Sequence, residues 1–492
     1  MKTTGMDHQL TYLEVSARKR NFALFAEMGT GKTWMTMADA ERLFLEGLIE
    51  AMVVFAPKGP HSNWVLREIP THMSVPTICH SWDGPIKTKR QKASMERLYA
   101  KQYEGEERKL RVLSVNFEMM LTESGREVVD KFVTTYKTLA VCDESKKIGN
   151  PKAKRTIYCI EAARKATARR ILSGKPLAKA PMDLYSQFDF LKEGLLGTKS
   201  YRAFVAEFAV LLDPRSPKMM GLIKKMGPKA AWAQVVDTDE AGNKMYRNLD
   251  KLYNLTQPHT FRVRKSDVLN LPPKVYEVRP FELSEKQRKV YDELQADYSY
   301  VSKSAGPQSF EAIAARQKMK QVTSGFIYVQ GQLELIAADE NPRMEAFLDV
   351  VDDLEGQFIV WAIYKEEIRQ IIEKLNEQGI TTVEYHGDIS DDDREKAIDD
   401  FQAGKYTAFV CNKAAYAGIT LTAAQTSIYY SCDFDNDIRS QSEDRNHRIG
   451  TKGDSVLYID LIAENTIDED AAQSRQSKNA IADHVIDGIP LG

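Results

Sequence analysis

Short, predominantly apolar runs, each closed by a polar pair, Gly or Pro, recur through the first part of the chain. They are Phe22-Ala23-Leu24-Phe25, Ala51-Met52-Val53-Val54-Phe55-Ala56, Leu113-Ser114-Val115-Asn116-Phe117, Leu139-Ala140-Val141-Cys142 and Arg170-Ile171-Leu172-Ser173. Runs of strand length that do not alternate with polar residues read as parallel strands covered on both faces. Between and behind them lie segments with helical spacing, among them His8 to Leu13, Val65 to Glu68 and Leu184 to Leu191. The alternation predicts a doubly wound α/β lobe over residues 1–195. Over 196–340 the buried-strand signal fades. Basic segments of helical spacing such as Ser284 to Leu294 alternate there with polar linkers, and the stretch is expected to be a helical insertion and interlobe linker. Strands resume at Phe358-Ile359-Val360-Trp361, followed by a helix over Glu366 to Gln378 with Ile368, Ile371, Ile372 and Leu375 on one face. Further strands end at Tyr385 and at Ala408-Phe409-Val410-Cys411, which predicts a second α/β lobe over 341–492.

A chain of 492 residues exceeds what one core supports. Its 43% hydrophobic and 28% charged content is that of an ordinary globular protein, and its net charge of −2 leaves any basic surface to be local. Candidates are Lys146 to Arg155 and the following Arg164, Lys165, Arg169 and Arg170, for which a solvated face is the plain alternative. The five cysteines are scattered, with no Cys-x-x-Cys, which suits a reducing interior and argues against a zinc site. No apolar run approaches the ~20 residues that span a bilayer, and the N-terminus has no signal-peptide core. The expected location is cytoplasmic, with no membrane partner; for a viral protein it is the host cytoplasm.

Chemistry concentrates behind the first strand. Ala26-Glu27-Met28-Gly29-Thr30-Gly31-Lys32-Thr33 offers backbone N–H groups, a helix N-terminus and one ammonium to a single point, as polyphosphate binding requires. Ala26 stands where the general phosphate-loop pattern has Gly. Met28, Gly29, Thr30 and Gly31 would line the phosphates, Lys32 would reach their outer oxygens, and the Thr33 hydroxyl would be a ligand of Mg²⁺. An apolar strand then ends in Asp143-Glu144. In a phosphate-loop protein one such acid is expected to hold Mg²⁺, here Asp143, and its neighbour to activate the attacking water, here Glu144. The amide of Gln9 can both accept from and donate to an adenine edge. Lys58 and Asn116 follow strand ends where a phosphate backbone could be met. Arg445 and Arg448, three apart before Gly450, would share one face of a helix and could neutralise charge on a γ-phosphate.

In order, Gln9, the Glu-Met-Gly-x-Gly-Lys-Thr loop, Ala56-Pro57-Lys58 with Asn63-Trp64, Asp143-Glu144-Ser145, Ser173-Gly174-Lys175-Pro176-Leu177, Gly418-Ile419-Thr420-Leu421 and Gln441 to Gly450 resemble the motifs of superfamily-two helicases. Lys147-Ile148-Gly149-Asn150, Arg445-Asn446-His447-Arg448-Ile449-Gly450, and Phe261 to Lys265 with Leu271-Pro272-Pro273-Lys274 and Gln287 to Tyr291 narrow the likeness to the Swi/Snf group of DNA translocases. It extends from about residue 8 to about 469. The resemblance implies two RecA-like lobes, ATP and Mg²⁺ as cofactors, and double-stranded DNA as the track of a compact, monomeric bacterial or viral motor. It implies catalytic roles for Lys32, Asp143, Glu144, Arg445 and Arg448 and nucleotide contacts from Gln9, Gly418 and Gln441. Lys58, Trp64, Asn116, Asn150, His386 and Thr420 are the positions expected on the track. Two positions depart from the family: Ser145 after the acid pair, and Lys175 in the Ser-Gly-x-Pro turn. Both bear on how hydrolysis is coupled to the track. A strand-separating or annealing helicase, and an ATP-gated DNA clamp with little turnover, are the alternatives.

Overall fold

A computed structural model describes residues 1–100, 105–177, 180–226, 234–239, 244–305, 310–336, 340–416, 419–431 and 436–490. The chain forms two compact units. The first holds Met1–Leu212, Gln234–Leu269 and Ala480–Gly492; the second holds Asp213–Ala233 and Asn270–Asn479.

In the first unit, the strands are β1 (Asn21–Ala26), β2 (Ala51–Ala56), β3 (Thr77–Trp82), β4 (Leu110–Asn116), β5 (Thr138–Asp143), β6 (Ala168–Ser173) and β7 (Thr260–Val263). They form one seven-stranded sheet in the order β3-β4-β2-β5-β6-β1-β7, with every pairing parallel. The continuous apolar runs have the cause the pattern suggested. Ala23, Phe25, Val53, Phe55, Ala140 and Cys142 enter one buried cluster, while Phe22, Leu24, Met52, Val54, Leu139 and Val141 enter the other. Successive side chains point to opposite faces, and helices cover both. The register aligns the strand tips: Phe25 pairs with Ser173, Leu172 with Asp143, Phe55 with Cys142, and Ala56 with Asn116. The loops behind β1, β2, β5 and β6 therefore leave from one edge of the sheet, where ligands of open α/β sheets bind.

In the second unit, β8 (Lys274–Phe281), β11 (Phe358–Trp361), β12 (Thr382–Tyr385), β13 (Ala408–Cys411), β14 (Thr426–Tyr429) and β15 (Val456–Ala463) make a six-stranded parallel sheet in the order β12-β13-β11-β14-β15-β8. Between β8 and β11, β9 (Phe326–Val329) and β10 (Gln332–Leu335) pair as a separate antiparallel hairpin. Again the two faces feed two clusters, Phe358, Val360 and Val410 in one, Ile359, Trp361 and Phe409 in the other. The fold class is α/β with two doubly wound parallel sheets.

The stretch 196–340 differs from its reading as a helical linker. It does carry helices, including Tyr201–Phe208, Leu249–Thr256 and Glu285–Ala305, but it also supplies β7, β8 and the hairpin. β7 and β8 are edge strands, half-exposed along their length, so they lack the apolar run that marks an interior strand. One unit boundary follows: Gln234–Leu269 stays with the first sheet through β7, and the residues from Asn270 pass to the second through β8. The C-terminal residues, expected in the second lobe, belong to the first unit, where Val485 and Ile486 join its core.

Candidate nucleotide and nucleic-acid site

β1 delivers the chain to a loop whose geometry depends on two glycines. Gly29 and Gly31 have φ of +83° and +85°, and a Cβ at Gly31 would lie 2.0 Å from Gln9 Nε2. Gly31, left-handed, opens the helix Lys32–Leu45, leaving that helix's first N–H groups facing the loop. Thr30 is buried, its hydroxyl donating to Glu27 O at 2.8 Å. Lys32 Nζ donates to the carbonyls of Ala26 at 2.8 Å and Glu27 at 3.3 Å, folding its ammonium over the loop. Gln9 is 6% exposed; its Oε1 accepts from Met6 N at 2.9 Å and its Nε2 donates to Thr30 O at 3.3 Å. The amide that the sequence offers to adenine is thus seated against the phosphate loop.

The loop is also fastened from behind. The Glu27 carboxylate accepts from Arg262 Nη2 at 3.2 Å and from Lys265 N at 3.0 Å, and Arg262 reaches the Phe25 and Gly174 carbonyls, each at 3.3 Å. Asp487 accepts from Arg262 Nε at 2.8 Å. Glu27 and Arg262 both lie in motifs that the sequence singles out, but their contact is not legible there, because it joins residues far apart in the chain.

At the tip of β5, the Asp143 Oδ1 accepts from the Glu144 N–H at 3.0 Å, and Oδ2 accepts from the indole N–H of Trp64 at 3.0 Å. Burial and the neighbouring Glu144 charge push the Asp143 carboxyl up to about 6, against the opposing pull of Trp64 and Lys32. Glu144 adopts a left-handed backbone, φ 53°, uncommon for a residue with a side chain and a form of local strain found at functional sites. Its carboxylate lies 3.2 Å from Lys146 Nζ. The Thr33 hydroxyl and the Asp143 carboxylate are hard oxygen donors, and among the described residues no group of three His, Cys, Asp or Glu could hold a metal by itself. Such a donor set suits Mg²⁺, which keeps waters and takes the rest of its shell from substrate phosphates.

In the second unit, Arg445 is 1% exposed. Its guanidinium donates to Gln441 O at 2.8 Å and Ile419 O at 3.0 Å, and burial lowers it to about 10. Arg448 donates to the Thr420 hydroxyl at 2.7 Å and to Ile419 O at 3.4 Å. The helix ends at Asn446, ahead of Arg448, and Gly450, φ +101°, lies in the turn beyond it. The two arginines converge through the bend after the helix and not by sharing a helical face. Gly418 lies outside the described residues. Below this segment, Glu443 accepts from Lys274 Nζ at 2.7 Å, Tyr276 Oη at 3.0 Å and Arg439 Nε at 2.8 Å, tying the arginine helix to β8.

The expected track residues divide. Lys58 and Asn150 are exposed on loops at the strand-tip edge. His386 and Thr420 are half-buried, the latter under Arg448. Trp64 and Asn116 are each 2% exposed, their polar groups engaged within the protein. Trp64 turns inward because the helix begun at Pro60 widens to a π turn over Trp64–Glu68, and Asn116 Oδ1 caps the next turn by accepting from Met119 N at 3.1 Å. Of the basic cluster, Arg170 is not surface. It is fully buried, its Nε donating to Asp39 Oδ2 at 2.7 Å and its Nη atoms to the carbonyls of Arg20 and Lys19.

Comparison with known proteins matches this arrangement. The SNF2-related domain matches residues 8–341, and the helicase conserved C-terminal domain matches residues 343–450. A putative ATP-dependent helicase/translocase of Bacillus subtilis, YwqA, is 24% identical over 94% of this chain and 46% of its own length. Human chromodomain-helicase-DNA-binding protein 6 is 23% identical over 96% of this chain and 17% of its own length. The Zorya protein ZorD of Escherichia coli is 24% identical over 72% of this chain and 32% of its own length. The chain spans less than half the length of these relatives. Among solved structures, the Sulfolobus solfataricus SWI2/SNF2 ATPase core in complex with dsDNA has a TM-score of 0.40 at 20% identity, over 99% of this chain and 94% of that one. With the SNF2-related match covering more than half of its residues, and the helicase conserved C-terminal match following it, the chain belongs to the SNF2-related family.

Proposed function

We propose that the chain is a DNA-stimulated ATPase that moves along double-stranded DNA without necessarily separating its strands. The observation that carries the reading is the common edge of the first sheet. The phosphate loop behind β1 and the acid pair behind β5 leave from that edge, as do the exposed Lys58 behind β2 and Asn150 shortly after the acid pair. Groups able to hold a nucleotide and groups able to touch a phosphate backbone therefore leave from one edge of one sheet.

In this reading Gln9 selects adenine, the loop N–H groups and Lys32 hold the phosphates, and Glu144 takes the proton of the attacking water. Thr33 and Asp143 hold Mg²⁺, which would neutralise charge on the phosphates. Arg445 and Arg448 would act on the charge of the γ-phosphate, and repeated nucleotide binding and hydrolysis would alternate the grip on the track.

Steady-state ATPase with no polymer, duplex DNA, single strands and RNA tests the reading, together with displacement of a third strand from triplex DNA. Duplex-specific stimulation with triplex displacement is expected. Rates indifferent to every polymer would overturn the motor in favour of a slow clamp, and unwinding of a forked duplex would put a strand-separating helicase in its place.

A further inference from the structure

Gln187 lies on the helix Leu184–Leu191 with no solvent exposure, among Phe188, Phe190 and Leu191. A buried primary amide is costly unless its acceptor and both donors are satisfied. Here they are. Oε1 accepts the Ser145 hydroxyl at 2.7 Å, and Nε2 donates to Pro176 O at 2.8 Å and Asp183 O at 2.9 Å. Ser145 is itself fully buried and opens the turn Ser145–Ile148 directly after the acid pair. The adjoining Ser186 hydroxyl donates to Ile148 O at 2.6 Å, so one helix holds both ends of that turn. Pro176 closes the turn behind β6, the strand that separates β5 from β1 in the sheet. Gly174, in the same turn, has its carbonyl on Arg262, which also holds Glu27 of the phosphate loop.

We propose that Gln187 is a positioning residue for hydrolysis, a cross-link that fixes the Glu144 backbone relative to the turn behind β6 and, through it, to the phosphate loop. The left-handed Glu144 has Ser145 as its next residue. A strained backbone persists only where its surroundings over-determine it, and the Ser145 to Gln187 bond supplies that restraint one residue away. The departure at Ser145 is thus matched by a partner inside the fold: a serine hydroxyl is short, and a buried glutamine on the facing helix reaches it. The inference rests on the assignment of Glu144 as the water-activating group.

The test is a double-mutant cycle of Ser145→Ala and Gln187→Met in the full chain, reading kcat for ATP and, separately, equilibrium binding of a fluorescent nucleotide. Each single variant is expected to lower kcat about tenfold with nucleotide affinity within twofold of the parent, and the double variant to fall no further, because both cut one path. Ser145→Ala removes a single oxygen, so the question stays answerable if Gln187→Met does not fold. Wild-type kcat in Ser145→Ala, or multiplicative losses in the double variant, would overturn the proposal. Glu144→Gln run alongside separates the two failures. If it retains turnover, the acid-pair assignment falls; if it abolishes turnover while Ser145→Ala does not, the cross-link alone falls.

Discussion

The indole N–H of Trp64 donates to the carboxylate of Asp143 across 3.0 Å, joining the segment behind β2 to the tip of β5. Expected on the track, Trp64 here has its one polar group engaged by Asp143. Trp64→Phe keeps a buried aromatic ring and deletes the donor, at the cost of the volume of the lost pyrrole ring. A bond to a charged acceptor contributes roughly 1.5–3 kcal/mol, and each 1.4 kcal/mol is about tenfold in a rate or binding constant. The expected outcome is a loss of about tenfold in kcat and a raised Mg²⁺ requirement, with duplex affinity within twofold of wild type. A variant that hydrolyses normally but binds DNA weakly would restore Trp64 to the track.

Lys32 and Glu144 should separate binding from chemistry. Lys32 is the ammonium folded over the phosphate loop, so Lys32→Ala is expected to lose nucleotide affinity. Glu144→Gln preserves shape and removes the base, a contribution of roughly 10²–10⁴ in rate. It should bind nucleotide as wild type does and turn over at least a hundredfold more slowly. Equilibrium binding and single-turnover hydrolysis on the same preparations check both, and a Glu144→Gln protein with ordinary turnover would remove that residue from the mechanism.

What the sequence revealed follows from how local each signal is. Both parallel sheets were legible because interior strands such as Ala51–Ala56 must be apolar on both faces. The edge strands β7 and β8 were not, since half their side chains meet solvent. The phosphate loop was legible because Gly29, Gly31 and Lys32 act within a few residues of one another. The fastening of Glu27 by Arg262, the seat of Asp143 on Trp64 and the bond from Ser145 to Gln187 were not, because each joins residues brought together only by the sheet. Asn116 illustrates a related point: a polar residue at a strand end serves a ligand or its own turn, and here its side chain bonds its own turn.

Arg445 and Arg448 are expected to fail differently although both look like γ-phosphate arginines. Arg445 is buried and engages two carbonyl oxygens, so Arg445→Ala opens a cavity and strips the guanidinium from Gln441 O and from Ile419 O, which keeps only the longer bond from Arg448. Buried groups stripped of a partner cost about 1–3 kcal/mol each, which should appear as a lower melting temperature before any assay of activity. Arg448 is half-exposed and bonded to a hydroxyl, and Arg448→Ala should melt close to wild type while losing ATP turnover. Differential scanning fluorimetry with ATPase rates distinguishes them; equal melting temperatures would refute the structural role of Arg445.

Glu443 gives the second unit a defined acid sensitivity. Burial alone would raise its carboxyl, but Lys274 and Arg439 outweigh that and hold it at about 2, against 4.5 when unfolded. For an acid lowered by folding, the unfolded chain takes up the proton first as pH falls. The stabilisation is complete above about pH 4.5 and is lost progressively toward pH 2. At 1.36 kcal/mol per pKa unit the full effect is on the order of 3 kcal/mol. Glu443→Gln mimics the protonated state, leaving Lys274 and Arg439 without their shared anion. Urea midpoints of wild type and Glu443→Gln should differ clearly at pH 7, and the gap should narrow between pH 5 and pH 3. A gap that stays constant over that range would mean that the lost packing, and not the charge of Glu443, accounts for the difference.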